Sequence, residues 1–226
     1  MNEEQKRLLN LLNQNKITTE EYNKLSAILS SVANKPNFFN FLVNPFQKIV
    51  GWYACLIGIL IILLMSYLAD KTLIHFPSLF SYIYTGNMKQ AHVNIFKIIL
   101  ENIFVCLTLS ISFFACAKIL QQKHLRFIDF IGTVMLARIS YFMVTIILFI
   151  CYQINKNYFL PPEAGRHINN PFIMFIVFSG LIWQITLLVN AFKESSGLSA
   201  HKLWISFIIS IVITEVLTGY LFSIFL

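Results

Sequence analysis

Apolar residues in this chain gather into five runs of helical length, residues 49–69, 98–117, 127–152, 171–191 and 203–226. The first, Ile49 to Ala69, contains no charged residue. At ~1.5 Å rise per residue it is long enough to cross a ~30 Å hydrocarbon core. Trp52 and Tyr53 at one end and Tyr67 at the other stand where interfacial aromatic belts form. The second run opens with Lys97 and Glu101 four residues apart, so an ion pair near the surface accounts for that acid. Asp129, near the start of the third run, sits within reach of the headgroup zone. Pro171 opens the fourth, a position a first helical turn accepts. Between the runs lie polar stretches that read as loops: 70–94 with Pro77 and Gly86, a tight basic loop at 118–126, 155–170 with Pro161-Pro162 and Gly165, and 192–202 with Gly197.

The polar lead, residues 1–31, reads as a helical hairpin. Asn2 with Gln5 and Thr18 with Glu21 each form a capping-box pattern, and Ile17 sits where a hydrophobic staple residue belongs. Leu8, Leu9, Leu11 and Leu12 make one apolar face, Tyr22, Leu25, Ile28 and Leu29 the other, and Asn13 to Lys16 break the helix between them. Two helices this short bury little surface, so the hairpin is expected to pack on the membrane domain or on another copy. Residues 32–48 carry Pro36 and Pro45 with Phe38, Phe39, Phe41 and Phe46, either a plain linker or a segment lying along the headgroups. The expected fold class is therefore all-α: a polytopic membrane protein with five transmembrane helices behind a short cytoplasmic hairpin.

Composition supports this reading. Of 226 residues, 57% are hydrophobic and 12% charged, against about 25% charged in a soluble domain. The net charge of +7 is spread between the apolar runs instead of forming one patch, which excludes nucleic acid as a partner. Lys118, Lys123, Arg126, Lys193 and Lys202 crowd two short loops, while Lys71, Lys89, Lys97, Lys156 and Arg166 are spread over two long ones. The positive-inside rule then places the N-terminus in the cytoplasm and the C-terminus outside, as five spans require. The first 46 residues are polar and contain acids, so no cleavable signal peptide is expected. Cys55, Cys106, Cys116 and Cys151 all lie in apolar runs without metal or redox spacing and read as small buried hydrophobes.

Two charges lie deep in the apolar runs. Arg138 is eleven residues past Phe127 and Glu215 twelve past Leu203, about 17 and 18 Å from the same membrane face. An intramembrane guanidinium costs about 2.5–3.5 kcal/mol on insertion scales and turns toward other helices. The matched depths make an Arg138–Glu215 pair the leading candidate polar site. Such a pair either fixes which helices are neighbours or lines a path for substrate or ions; alternatively Arg138 snorkels or meets backbone carbonyls. Ser140, Tyr141, Thr145, Thr214 and Thr218 are the nearby polar residues. His75, His92, His124, His167 and His201 are scattered through loops, with no metal-ligand spacing on a helix. No nucleotide, hydrolase or metalloprotease motif is present. No catalytic residue, metal or cofactor is therefore expected.

Trp183, Leu187, Ala191 and Lys193, followed by Gly197-Leu198-Ser199 and Lys202, resemble the last cytoplasmic turn of the Yip (Ypt/Rab-interacting protein) domain family. Asn44-Pro45-Phe46 resembles the asparagine-proline before the first span of its bacterial members. Ala137-Arg138 is similar to an Ala-Arg step in the third span, where the family often has a proline and this chain has Ser140. The resemblance covers residues 45–226. It implies an integral membrane protein with a cytoplasmic N-terminus, whose eukaryotic relatives bind Rab GTPases in vesicle traffic and whose bacterial relatives include suggested permeases. Residues 12–25 also resemble the short two-helix modules of SHOCT type, without their usual turn glycine.

Two functions follow as expectations. One is a non-enzymatic membrane scaffold or adaptor, in a bacterial plasma membrane, that self-associates or recruits a protein through residues 1–31. The other is a transporter, permease or lipid-handling protein using a polar site at Arg138 and Glu215. The prolines lie in loops or at span ends, and no span is interrupted by Gly and Pro as permease helices often are. That favours the scaffold. Gly58 and Gly132 are expected to permit close helix packing instead.

Overall fold

The computed structural model describes residues 9–12, 17–33, 38–72, 74–76, 78–79, 83–84, 94–120, 125–154, 171–198 and 200–225. The chain divides into two compact units, Met1–Leu42 and Val43–Leu226. In the first, residues 9–12 are helical and α1 spans Thr19–Ala33. The Thr18–Glu21 capping box forms: the Thr18 N–H donates to Glu21 Oε2 at 2.9 Å and the Glu21 N–H to Thr18 Oγ1 at 3.3 Å. These bonds, the backbone one foremost, hold the Glu21 carboxyl below its usual pKa. The expected Asn2–Gln5 box and the break at 13–16 lie outside the described residues. The segment read as linker or interfacial contains a short helix, α2 (Phe38–Val43), and a 3₁₀ turn at Pro45–Gln47.

The second unit is a helical membrane domain. Five of its helical stretches are long and apolar enough to cross a membrane. They are α3 (Gly51–Thr72), α4 (Ile95–Ile119), the pair α5 (Phe127–Ala137) and α6 (Ile139–Ile154), α7 (Pro171–Ser196) and α8 (Ala200–Phe225). A two-residue antiparallel pairing, β1 (Ile74–His75) with β2 (Ile83–Tyr84), stands in the α3–α4 connection, Ile74 opposite Tyr84. Several bounds run past the apolar stretches. α7 continues through Ser196 where a loop was expected from residue 192, because Gly197, at φ +65°, supplies the left-handed residue that ends it. Its N–H caps the Lys193 carbonyl at 2.9 Å.

Helix interiors here invert the soluble pattern. Both faces of α3 are hydrophobic, but the face turned inward carries small residues, Gly51, Ala54, Cys55, Gly58, Ser66 and Ala69, beside Ile61, Ile62 and Met65, while Trp52, Leu56, Leu60 and Leu63 look outward. Hydrocarbon solvates leucine as well as a protein core does, so close backbone approach and buried hydroxyls hold the helices together. α3 lies against α5 most closely. A methyl on Gly58 would come within 2.7 Å of the Met135 carbonyl carbon, and one on Gly132 within 2.5 Å of the Gly51 oxygen. Gly58 and Gly132 thus do what was expected of them. α8 turns Ser206, Ser210, Thr214 and Thr218 inward toward α4, with Ser210 Oγ donating to the Ser112 carbonyl at 3.4 Å.

We call the end of the bundle where α3 and α5 begin the proximal end, and the other the distal end. At the proximal end Arg126 makes a two-point ion pair with Asp129, at 2.9 and 3.1 Å. Ser195 Oγ lies 2.9 Å from Thr133 Oγ1, tying α7 to α5. Phe46, one of the aromatics placed along the headgroups by the interfacial reading, is instead fully buried in the bundle core. Near the distal end Glu101 is 4% exposed, deeper than the surface position expected beside Lys97. The cysteines are free; Cys55 and Cys106 are buried, and Cys116 and Cys151 are half-buried.

Candidate functional site

The third span is the most enclosed of the five, and it is not one continuous helix. It stops at Ala137 and restarts at Ile139. Between them Arg138, at φ −62° and ψ −7°, turns its N–H to the Met135 carbonyl at 3.2 Å, three residues back instead of four. A single tightened turn of this kind in mid-helix marks strain or a functional hinge. Neither proline nor glycine causes it, so the sequence test for broken spans could not find it.

Arg138 is 1% exposed. Its guanidinium lies over the Tyr141 ring, 5.6 Å from the centroid, and Nη1 reaches the Ser78 carbonyl at 3.5 Å. Nη2 is buried with no hydrogen-bond partner among the described residues. Glu215 is half-buried on α8, and its Oε1 accepts the Leu79 N–H at 3.0 Å. Among the described residues Arg138 and Glu215 make no direct ion pair. Instead both converge on one peptide group: the Ser78 carbonyl faces the guanidinium and the Leu79 N–H of the same peptide faces the carboxylate. The Tyr141 hydroxyl donates to the next carbonyl, that of Leu79. Phe76 stacks flat on Tyr141, centroids 4.3 Å apart at 4°. Phe76 and Leu79 are almost wholly buried and Ser78 is 9% exposed, so these described residues of the α3–α4 connection lie inside the bundle.

Matched depth therefore brings the two charges to one site, with a backbone segment between them. Sequence reading missed that segment because Ser78 and Leu79 act through main-chain groups, which every residue carries. It also missed Gln184, whose signal was available as an amide in an apolar run. Gln184 is 1% exposed; its Oε1 accepts from Ser140 Oγ, while Nε2 has no partner. That bond joins α6 to α7 one residue beyond the break. Thr145, Thr214 and Thr218 bond carbonyls of their own helices, and Thr214 also reaches Ser112 Oγ at 3.4 Å. They are packing groups more than a lining.

Of the residues that carry the family resemblance, Lys193, Gly197 and Lys202 lie at the proximal end and Trp183 midway along α7. Trp183 is partly buried against the core, Lys193 and Lys202 are exposed, Gly197 caps α7, and Ser199 lies outside the described residues. Asn44-Pro45-Phe46 docks on the same helix: Asn44 Nδ2 donates to Glu194 Oε1 at 2.9 Å, and Asn190 Nδ2 to the Val43 carbonyl at 3.0 Å. Two sequence segments about 150 residues apart thus form one fastening at the end of α7. Comparison of this chain with protein-family models, curated proteins and solved structures yields no match.

Proposed function

We propose that this chain is a non-enzymatic integral membrane protein that handles a small solute or a lipid at the intramembrane site of Arg138, Tyr141 and Glu215. The observation that carries the reading is the break at Arg138, which holds a buried guanidinium with one nitrogen lacking any acceptor. Ionisable residues kept at such depth mark ligand or ion paths, and a single tightened turn in mid-helix often marks a functional hinge. The scaffold expectation rested on the lack of Gly- or Pro-broken spans and of matching halves, which the turn at Arg138 leaves untouched; the buried guanidinium is what adds weight to the ligand-handling alternative. The double variant Arg138→Met, Glu215→Leu removes both charges together, so no lone buried charge remains to unfold the bundle. It should purify as a folded protein and lose solute uptake or lipid binding in proteoliposomes. Uptake at the unaltered rate would reject the reading.

A second reading, a scaffold or adaptor of the Yip type in a bacterial plasma membrane, has its own support. The N-terminal unit is compact by itself, carries a complete capping box, and leaves Leu11 and Leu25 exposed at 39% and 43%. Such leucines suit a second copy or a protein partner. Deleting residues 1–31 should reduce the particle mass measured by light scattering in detergent while the membrane domain stays helical. An unchanged mass would dismiss self-association.

A further inference from the structure

We infer that the site between α6 and α8 takes a zwitterion, an ammonium and an acidic group a few bonds apart, and that the Ser78–Leu79 peptide stands in for it. This rests on the ligand-handling reading above and adds the chemistry of the ligand. The first argument is charge. Arg138 and Glu215 together are neutral, so a ligand can join them in a dry site without burying net charge only if it is itself neutral overall. An anion alone or a cation alone leaves one charge uncompensated at a depth where that is costly.

The second argument is the arrangement of donors and acceptors. The peptide offers its carbonyl to the guanidinium and its N–H to the carboxylate, which is the polarity of a zwitterion laid in the same direction. As a neutral group it serves the carboxylate with one good bond, at 3.0 Å, but satisfies the guanidinium poorly. Its carbonyl lies at 3.5 Å from Nη1 and leaves Nη2 without a partner. A carboxylate or phosphate accepts from both guanidinium nitrogens at once, through shorter charge-assisted bonds. Tyr141 supplies a further donor on that side. An ammonium offers Glu215 three donors where the peptide offers one. Ligand binding displaces Ser78 and Leu79 and satisfies what the peptide leaves unmet.

Two molecules carry this chemistry, a phosphoethanolamine lipid headgroup and a free neutral amino acid. The test is equilibrium binding to the full-length protein in detergent. The probes are phosphatidylethanolamine, phosphatidylcholine and phosphatidylglycerol labelled on the acyl chain, with L-leucine as the soluble arm. Phosphatidylethanolamine or leucine should bind, whichever is the source. Phosphatidylcholine, which has no N–H for Glu215, and phosphatidylglycerol, which has no cation, should bind at least tenfold more weakly. Glu215→Gln and Tyr141→Phe each keep the packing and should weaken the preferred probe at least tenfold and about threefold, so the result does not hang on an Arg138 variant folding. Equal binding of all three lipids, or affinity unmoved in Glu215→Gln, overturns the inference. Phosphatidylglycerol binding that weakens in Tyr141→Phe but not in Glu215→Gln overturns the zwitterion and keeps ligand handling. Absence of saturable binding by every probe overturns both.

Discussion

Single atoms decide the tightest contact in the bundle. Gly58 and Gly132 let α3 and α5 meet backbone to backbone, so a methyl at either has no flexible neighbour to push aside. Gly58→Ala and Gly132→Ala should each destabilise the membrane domain by about 1–3 kcal/mol, the usual cost of overpacking. Gly219 is the control, because nothing lies within 4 Å of where its methyl would be. Gly219→Ala should be neutral or gain up to about 1 kcal/mol from helix propensity. Unfolding of the full-length protein in mixed detergent micelles measures all three. A midpoint that moves equally for Gly58→Ala and Gly219→Ala would contradict the contact. These glycines were legible in the sequence because an isolated glycine in an apolar span has few other uses. Arg138 and Glu215 were legible for the same reason, as charges that lipid does not tolerate alone. Ser78 and Leu79 were not, since their role belongs to peptide groups and no side-chain pattern announces it.

At the scale of elements, hydropathy found all five spans, and the errors fall at their ends and at one interior residue. Ends were misplaced because a helix leaving the membrane continues until a cap stops it, and hydropathy does not register caps. Gly197 at φ +65° is such a stop, six residues beyond the apolar run. Asn94 is another, its side chain accepting the Phe96 N–H at 3.0 Å, so α4 begins before its apolar run does. The break between α5 and α6 was invisible for a different reason. Its sequence, Leu136-Ala137-Arg138-Ile139-Ser140, contains good helix formers and no proline or glycine. What sets the turn apart is tertiary: on the α6 side of the break Ser140 bonds Gln184 of α7, and at the break Arg138 reaches Ser78. Propensity is a weak prior where such contacts compete with it.

For the whole molecule, the distribution of charge says how the bundle sits in its membrane. Lys48, Lys118, Arg126, Lys193 and Lys202 are all exposed at the proximal end, whereas the described residues of the distal end carry Lys71 and Lys97. Basic residues near span ends tend to stay on the cytoplasmic side during insertion, so the expected outcome is a proximal end that faces the cytoplasm. With that orientation the Ser78–Leu79 peptide would meet Arg138 from the outer face, and a ligand that replaces it would arrive from that side. Lys71→Cys and Lys202→Cys in a background with the four native cysteines replaced report on both ends. A membrane-impermeant maleimide applied to intact cells should label position 71 at once and position 202 only after the membrane is opened. The opposite result would invert the orientation and place the peptide strap on the cytoplasmic side. Labelling of both positions from one face would break the alternation of spans, and with it the arithmetic that sets Arg138 and Glu215 at one depth.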